Sequence, residues 1–263
     1  MSQTDPVRHP TLETTRHRVL LAGGPALLVV VGLAVWLIVG VLLSGHRTFL
    51  FDATVTPHGD VLRLRGVGDA TFVSSDDGRI HVHAGGRYRG SPPRVDLADG
   101  NSLITSSCPE SALSRCRVRL EIAVPPDLAL RVQLVTGSVL VEGLRSNVAV
   151  ATDDGEVTVI DPTGPVVAET GNGNITVSGA RSAQVRARSA SGEVDMNFDA
   201  PPDLVDAHSG GGDVIVRIHD PLPSAVRTDA EGGVATVTVP VDPAAPRSID
   251  AATADGDIIV SVR

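Results

Sequence analysis

The stretch "ATDDGEVTVIDPTGPVVAETGNGNITVSG", residues 151–179, contains two copies of one short repeat. Each copy reads Thr-x-x-Gly followed by alternating apolar residues, with Gly155 in the first copy and Gly173 in the second. Apolar residues alternate on both sides of each glycine, which is the period of a β-strand and not of a helix. Each copy is therefore predicted to be two short strands joined at a glycine corner, where positive φ or a close backbone approach favours this residue.

The same repeat recurs throughout the C-terminal half of the chain. Seven copies align on their corner glycines, and the interval between successive glycines grows from 18 to 23 residues, all of it in the turn after the second strand. A constant strand, corner and strand with variable loops at one edge is typical of a solenoid, in which each coil buries its inward face against the next. The corner glycines are Gly137, Gly155, Gly173, Gly192, Gly212, Gly233 and Gly256.

Residues 129–263 are therefore predicted to form an all-β fold, a β-solenoid of stacked two-strand coils that pair in parallel from coil to coil. An immunoglobulin-like sandwich is the competing all-β fold, but it is not expected to keep one unit through seven successive turns. From the second coil onward, a small or hydroxyl side chain stands three residues before each glycine. These residues are Thr152, Thr170, Ser189, Ser209, Ala230 and Thr253.

Residues 45–128 are predicted to be an irregular first part, or cap, of the same β domain. The repeat occurs once in this region, in "TFVSSDDGRIHV", where Gly78 occupies the corner position. Cys108 and Cys116 are the only cysteines, and their close spacing predicts a disulfide that closes a short loop. A zinc site is the alternative, but it would need two further ligands from elsewhere in the chain.

Residues 19–44 contain no ionisable side chain and are long enough to cross a membrane as a helix. A cleaved secretory signal is the alternative, although its apolar core is usually shorter and ends in a small-x-small cleavage site. Three arginines precede the span, whereas only Arg47 closely follows it. The positive-inside rule then predicts that residues 1–18 form a short cytoplasmic tail and that the β domain lies outside the cell membrane.

The composition narrows the partners that the β domain can have. The chain has 42% apolar residues, no lysine and a formal net charge of −9, with 19 arginines and 29 acidic residues after position 18. An acidic domain repels phosphate backbones, so nucleic acid is not expected as a partner.

The span followed by "VPPDLALRVQLVTGSVLVEGLRSNVAVATDDGEVTV", residues 124–159, resembles the "putative adhesin" family of bacterial envelope proteins, which is also labelled a domain of unknown function. The matching features are Val124-Pro125 and the recurring Thr/Ser-x-x-Gly units, and the resemblance extends from about Phe49 to Arg263. It implies a membrane-tethered surface β-solenoid without catalysis. It transfers no catalytic or binding residues to this chain.

Acidic or amide side chains often follow the corner glycine, and stacked coils would align them into a ladder able to collect Ca²⁺. Solvated residues that merely form the turn are the alternative interpretation. The residues concerned are Asp60, Glu156, Asn174, Glu193, Asp213 and Asp257.

Asp206, His208 and Ser209 have the side chains of a nucleophilic triad, but adjacent strand residues point to opposite faces and cannot form the required hydrogen-bond chain. His81 and His83 are expected on one outer face, a spacing that can bind a metal, although no third ligand is indicated. Exposed aromatic residues for stacking on sugars are nearly missing. The sequence therefore predicts no catalytic residue, cofactor or metal site.

The resulting expectation is a non-enzymatic adhesin-like, structural or partner-binding surface protein. An accessory or sensory module in envelope-stress signalling is the second possibility, and a polysaccharide-active enzyme is the third. The final stretch "DGDIIVSVR", residues 255–263, stops within a repeat. This predicts open strand edges on the C-terminal coil and self-association through them. An envelope protein or polysaccharide is the other partner expected.

Overall fold

The computed structural model describes residues 47–88, 91–100, 102–109 and 116–263. These residues form strands, turns and bends, and no helix is found among them. The all-β prediction is confirmed. The strands are β1 (Arg47–Val55), β2 (Val61–Val67), β3 (Asp69–Ser74), β4 (Ile80–Tyr88), β5 (Arg94–Ala98), β6 (Leu103–Ser107), β7 (Arg117–Val124), β8 (Ala129–Thr136), β9 (Val139–Glu142), β10 (Val148–Asp154), β11 (Val157–Ile160), β12 (Val166–Asn172), β13 (Ile175–Ala180), β14 (Gln184–Ser191), β15 (Val194–Phe198), β16 (Leu204–Ser209), β17 (Val214–Ile218), β18 (Ala225–Ala230), β19 (Ala235–Val237), β20 (Ser248–Thr253) and β21 (Ile258–Val262).

Two sheets contain all of these strands. The eleven-stranded sheet has the order β1-β4-β7-β3-β9-β11-β13-β15-β17-β21-β19, and the ten-stranded sheet has the order β18-β20-β16-β14-β12-β10-β8-β2-β6-β5. From β8 onward the chain alternates between the sheets, and each coil pairs in parallel with its neighbours, as in Val148↔Val166 and Val157↔Ile175. The predicted solenoid of two-strand coils with parallel pairing is confirmed.

Except for β18 and β19, each regular strand buries every second side chain between the two sheets. The interior is filled by small and β-branched residues such as Val157, Val166 and Ala168, all essentially inaccessible to solvent. These residues form columns because the same position of each coil pairs with itself in the next coil. Fully burying one valine contributes roughly 1.5 kcal/mol or more, so the stability of each coil depends on contact with its neighbours.

The corners are tight because glycine stacks on glycine. A Cβ atom on Gly155 would lie 2.1 Å from the carbonyl oxygen of Gly137, and a Cβ on Gly173 would lie 2.1 Å from the carbonyl oxygen of Gly155. Both glycines also have φ near +155°. Close backbone approach and positive φ therefore both require glycine here.

The hydroxyl residues three positions before the corners form hydrogen bonds to the corner glycines of neighbouring coils. Each hydroxyl donates a hydrogen bond of 2.7–3.2 Å to the carbonyl oxygen of the corner glycine in a neighbouring coil, so neither buried group is left without a partner. The pairs are Thr152 with Gly137, Thr170 with Gly155, Ser189 with Gly173, Ser209 with Gly192, and Thr253 with Gly212.

The coils do not stack in the order of the sequence at the C-terminal side. The last coil, β20 and β21, lies between the coil formed by β16 and β17 and the coil formed by β18 and β19. Residues 219–224 connect β17 to β18, which lies two positions away from β16 in the ten-stranded sheet. Residues 238–247 then lead back to β20, which occupies the position between β16 and β18. These are the two longest turns of the repeat region, which is why they can pass over a coil.

The prediction of open edges on the C-terminal coil is therefore wrong, and self-association through that coil loses its basis. β20 pairs with β16 on one side and β18 on the other, while β21 pairs with β17 and β19. Among the described residues, the outermost coil at this end is β18 and β19, which we call the terminal coil.

The prediction of a corner at Gly78 is also wrong. Gly78 lies in the turn between β3 and β4, which both belong to the eleven-stranded sheet. The corner that continues the stack is Gly68, whose carbonyl oxygen would lie 2.1 Å from a Cβ on Gly137. This coil has one residue fewer before its glycine, because the register between β2 and β8 shifts after Gly66.

The first part also differs in strand direction. β4 pairs antiparallel with both β1 and β7, and β5 pairs antiparallel with β6, whereas β2 and β3 pair in parallel with the first regular coil. The predicted disulfide between Cys108 and Cys116 is confirmed, and both residues pack against the hydrophobic core.

The predicted cytoplasmic tail and membrane span, residues 1–18 and 19–44, lie outside the described residues. Within the described ranges, no helix is long and apolar enough to span a membrane.

Candidate binding surface

The outer face of the ten-stranded sheet carries a cluster of charges around Asp206. Arg188 on the neighbouring strand donates a 2.8 Å hydrogen bond from Nη2 to Oδ2 of Asp206, and Arg186 Nε lies 3.8 Å from the same oxygen. His208 Nε2 lies 2.8 Å from Oδ1. The parallel register creates this cluster by placing Arg186 opposite Asp206 and Arg188 opposite His208. We call Arg186, Arg188, Asp206 and His208 the Asp206 cluster.

The outer face of the eleven-stranded sheet carries similar pairs. Arg217 donates from Nη1 to both carboxylate oxygens of Asp195, at 2.9 and 3.0 Å. Asp199, which directly follows β15, accepts hydrogen bonds from Arg181 and from Arg263. Arginines therefore partner several carboxylates in other coils, which places paired charges along the outside of the stack.

The predicted ladder of polar residues at the corners exists in part, and it binds backbone groups. The side chains of Asn174 and Asp213 accept hydrogen bonds from the backbone N–H groups of Glu193 and Asp257, at 3.0 and 2.8 Å. Asp257 in turn accepts one from the N–H of Val234. No group of three or more His, Cys, Asp or Glu side chains within the described ranges is arranged to hold a metal ion. The geometry favours the turn-forming interpretation of these residues over calcium binding.

Asp206, His208 and Ser209 are not brought together as a triad. Asp206 and His208 share the outer face, but the Ser209 hydroxyl points into the interior and donates to the carbonyl oxygen of Gly192. This position removes Ser209 from any nucleophilic role alongside the other two.

His81 and His83 share the outer side of β4, but each contacts its own carboxylate. His81 Nε2 lies 2.8 Å from Asp77, and His83 Nδ1 lies 2.5 Å from Asp52. The backbone N–H of Arg79 lowers the pKa of the Asp77 carboxyl below its ordinary value of 3.8, and the contact with His81 adds to this effect. The two histidines therefore contact separate carboxylates and do not converge on one site.

A shallow groove of about 630 Å³ lies on the outer side of β1, β4 and β7. Gly85 lies opposite the exposed Leu50, and Arg117 and Arg119 line one side. Sequence reasoning missed this groove because the repeat pattern is lost there. The Gly-Gly pair within an otherwise alternating strand was the signal that could have indicated it.

The terminal coil exposes side chains that are buried elsewhere in the stack. Val226 and Val237 occupy inward columns but are only half-buried. Val234 and Val241 beside them are 68% and 54% exposed. An outermost coil with its inward residues uncovered is a second candidate surface.

Two sheets of stacked coils, joined at glycine corners and bearing paired charges outside, define a solenoid-type β domain with extended surfaces. The chain belongs to the Toastrack DUF4097 family, whose model matches residues 128–261. This confirms the resemblance inferred from the repeats. The matched range covers the regular coils.

Three solved structures are similar to the chain at low identity. A "putative adhesin" from Bacteroides fragilis is 13% identical, with 84% of this chain and 99% of that chain covered and a TM-score of 0.45. A "putative cell adhesion protein" from Clostridium sporogenes is 11% identical, with 82% and 100% covered and a TM-score of 0.33. A "putative adhesin" from Parabacteroides merdae is 12% identical, with 81% and 96% covered and a TM-score of 0.32. None of the curated proteins is significantly similar to the chain.

Proposed function

We propose that this protein is a membrane-anchored, adhesin-like surface protein that binds its partners without catalysing a reaction. Residues 19–44 form the single span, residues 1–18 lie in the cytoplasm and the β domain lies outside the membrane. The apolar stretch, the arginines before it and the disulfide between Cys108 and Cys116 support this topology.

The observation that carries the binding role is the array of charges paired between coils. Asp195 and Asp206 on the outer faces, and Asp199 in the turn after β15, are engaged by arginines of other coils. Catalysis needs titratable groups that converge on one reacting atom, whereas an extended polar array suits recognition of an extended partner. A protein or polysaccharide of the cell envelope is the partner class proposed.

Topology is tested with single cysteine variants of the full chain in spheroplasts, using a membrane-impermeant maleimide. Val241→Cys should react before lysis, and Ser2→Cys should react only after lysis. The native cysteines are joined in a disulfide and serve as the unreactive background. Labelling in the opposite order, or a mature chain that lacks residues 1–44 by mass spectrometry, would contradict the anchored topology.

Binding is tested by retention of the full chain, in detergent, on immobilised envelope polysaccharide and envelope protein fractions. Arg186→Ala/Arg188→Ala should reduce retention on one fraction if the Asp206 cluster contributes to the surface. Arg145→Ala, an exposed arginine in a turn, is the matched control. Equal retention of all three proteins would rule out the Asp206 cluster as a binding element, and shortened glycan chains would indicate an enzyme.

A further inference from the structure

In the terminal coil, β18 forms one edge of the ten-stranded sheet. We propose that it pairs antiparallel with the terminal coil of a second copy of this chain, β18 against β18. This surface goes beyond the outer faces described above, and the pairing does not depend on what those faces bind.

The backbone of β18 determines which residues can reach a partner. The N–H groups of Ala225 and Glu231 donate to the carbonyl oxygens of Arg247 and Thr253, which places the odd-numbered residues of β18 toward β20. In a strand, the backbone groups of alternate residues point to opposite sides. Val226, Thr228 and Ala230 therefore direct their N–H and C=O groups away from β20, and no strand within the described residues lies beside them.

One end of this edge is already covered. The N–H of Ser224 donates to the carbonyl oxygen of Pro240, and the carbonyl oxygen of Ser224 accepts a hydrogen bond from the N–H of Asp242. The returning segment, residues 238–247, thus closes the edge before Val226. The free edge begins at Val226, which limits the registers that a partner strand can adopt.

Charge favours one register, because a pair centred on Arg227 or on Asp229 would place that residue directly opposite the same charge of its partner. An antiparallel pair centred on Thr228 places Val226 opposite the partner's Ala230 and Arg227 opposite the partner's Asp229, on both sides of the two-fold axis. Opposite charges directly across an antiparallel pair stabilise it, and like charges destabilise it. A pair centred on Ala230 would instead place Asp229 opposite the partner's Glu231. A pair centred on Val226 would require Ser224, which is covered.

The side chains of β18 also suit a pair of identical strands. Val226 and Thr228 face inward but are not buried, whereas Ile249 and Ala251 at the same positions of the next coil are 2% and 0% exposed. No proline, which would prevent pairing at an exposed edge, stands within β18. Pairing would extend the ten-stranded sheet across two copies and cover these residues.

The test is the oligomeric state of the full chain in mild detergent, measured by sedimentation velocity over a series of concentrations. The wild-type chain should dimerise. Arg227→Asp and Asp229→Arg should each weaken the dimer by about tenfold or more, because both cross-strand pairs become repulsive. The double variant Arg227→Asp/Asp229→Arg should restore wild-type dimerisation. Arg131→Asp, on the outer face of the same sheet, is the matched control and should leave the dimer unchanged.

A backbone variant separates pairing from folding. Thr228→Pro removes an N–H group that β20 does not use, so the coil should fold while the dimer is lost. Circular dichroism melts of each variant check the fold. A wild-type monomer at every concentration would overturn the proposal. So would a dimer that survives both Arg227→Asp and Thr228→Pro, or a charge swap that fails to restore it.

Discussion

The first part of the β domain, residues 47–128, and the regular coils, residues 129–263, share two sheets but are stabilised differently. The first part has ten arginines and ten acidic residues, whereas the regular coils have nine arginines and nineteen acidic residues. Three of the four phenylalanines lie in the first part. The net negative charge of the domain therefore comes from the regular coils, because the charges of the first part cancel.

This comparison shows why the regular coils need neither large side chains nor a covalent link. A regular coil can be built from valine, alanine and threonine because an identical column on the next coil fills the space beside each side chain. Within the described residues, the first part has no such partner at its outer side. It uses larger side chains such as Phe72, antiparallel strands and the disulfide instead. Four variants test how each region is stabilised.

The largest effect is expected at a corner glycine of the regular coils. Gly173→Ala places a Cβ 2.1 Å from the carbonyl oxygen of Gly155 at positive φ, so the free energy of unfolding should fall by about 3 kcal/mol. Gly211→Ala is the control, because a Cβ there meets nothing within 4 Å. Urea denaturation of both variants measures the difference. Equal stabilities would show that the corners tolerate a side chain.

The second effect belongs to the first part. Replacing Cys108 and Cys116 by serine removes a short covalent loop and should lower the free energy of unfolding by about 2.5 kcal/mol. Reduction of the wild-type protein should give the same loss in a thermal melt. A variant as stable as the oxidised protein would mean that packing alone holds the first part.

The third effect concerns the hydroxyl column of the regular coils. Thr170→Val keeps the shape but leaves the carbonyl oxygen of Gly155 without its hydrogen bond, at a cost of about 1–2 kcal/mol. Thr158→Val, on the outer face of β11, is the control and should change stability little. Thermal melts of the two variants should therefore differ. Coincident melts would show that the hydroxyl column does not contribute to stability.

The smallest effect is in the turn between β3 and β4. The pKa of Asp77 is lowered in the folded state, so its charge stabilises the fold above the ordinary pKa of 3.8, and this contribution is lost as the pH falls through the lowered value. Asp77→Asn should therefore melt slightly below the wild type at pH 7. The two should converge at a pH below the lowered pKa. Asp76→Asn, in the same turn, is the control, and a difference that persists in acid would contradict the assignment.

The glycine and strand periods were sufficient to predict the coils, because each coil repeats the same contacts. The corner at Gly68 was hidden by a single missing residue, which moved the glycine out of the aligned position. The exchanged order of the last two coils was hidden because Val226 and Ile249 fit the same column equally well. One signal was available: Thr253 can donate to Gly212, whereas Ala230 has no hydroxyl.

The charge pairs of the candidate surface were beyond sequence reasoning for a different reason. Arg188 and Asp206 are 2.8 Å apart only because β14 and β16 pair in one register, and a shift by one residue would move both charges to other partners. Surface pairs of this kind depend on register, whereas the buried columns determine it. Patterns of apolar residues therefore predict the interior more directly than the surface.

The exchanged order of the last two coils places β20 and β21 between two coils that come earlier in the chain. During synthesis, the terminal coil is made before β20 and β21, so it cannot pair in its native place until those two strands have been made. A chain interrupted before Ser248 lacks the coil that joins its neighbours on both sides. Closure of this side of the stack therefore depends on β20 and β21, and a chain without them exposes the strand edges of β16 and β17.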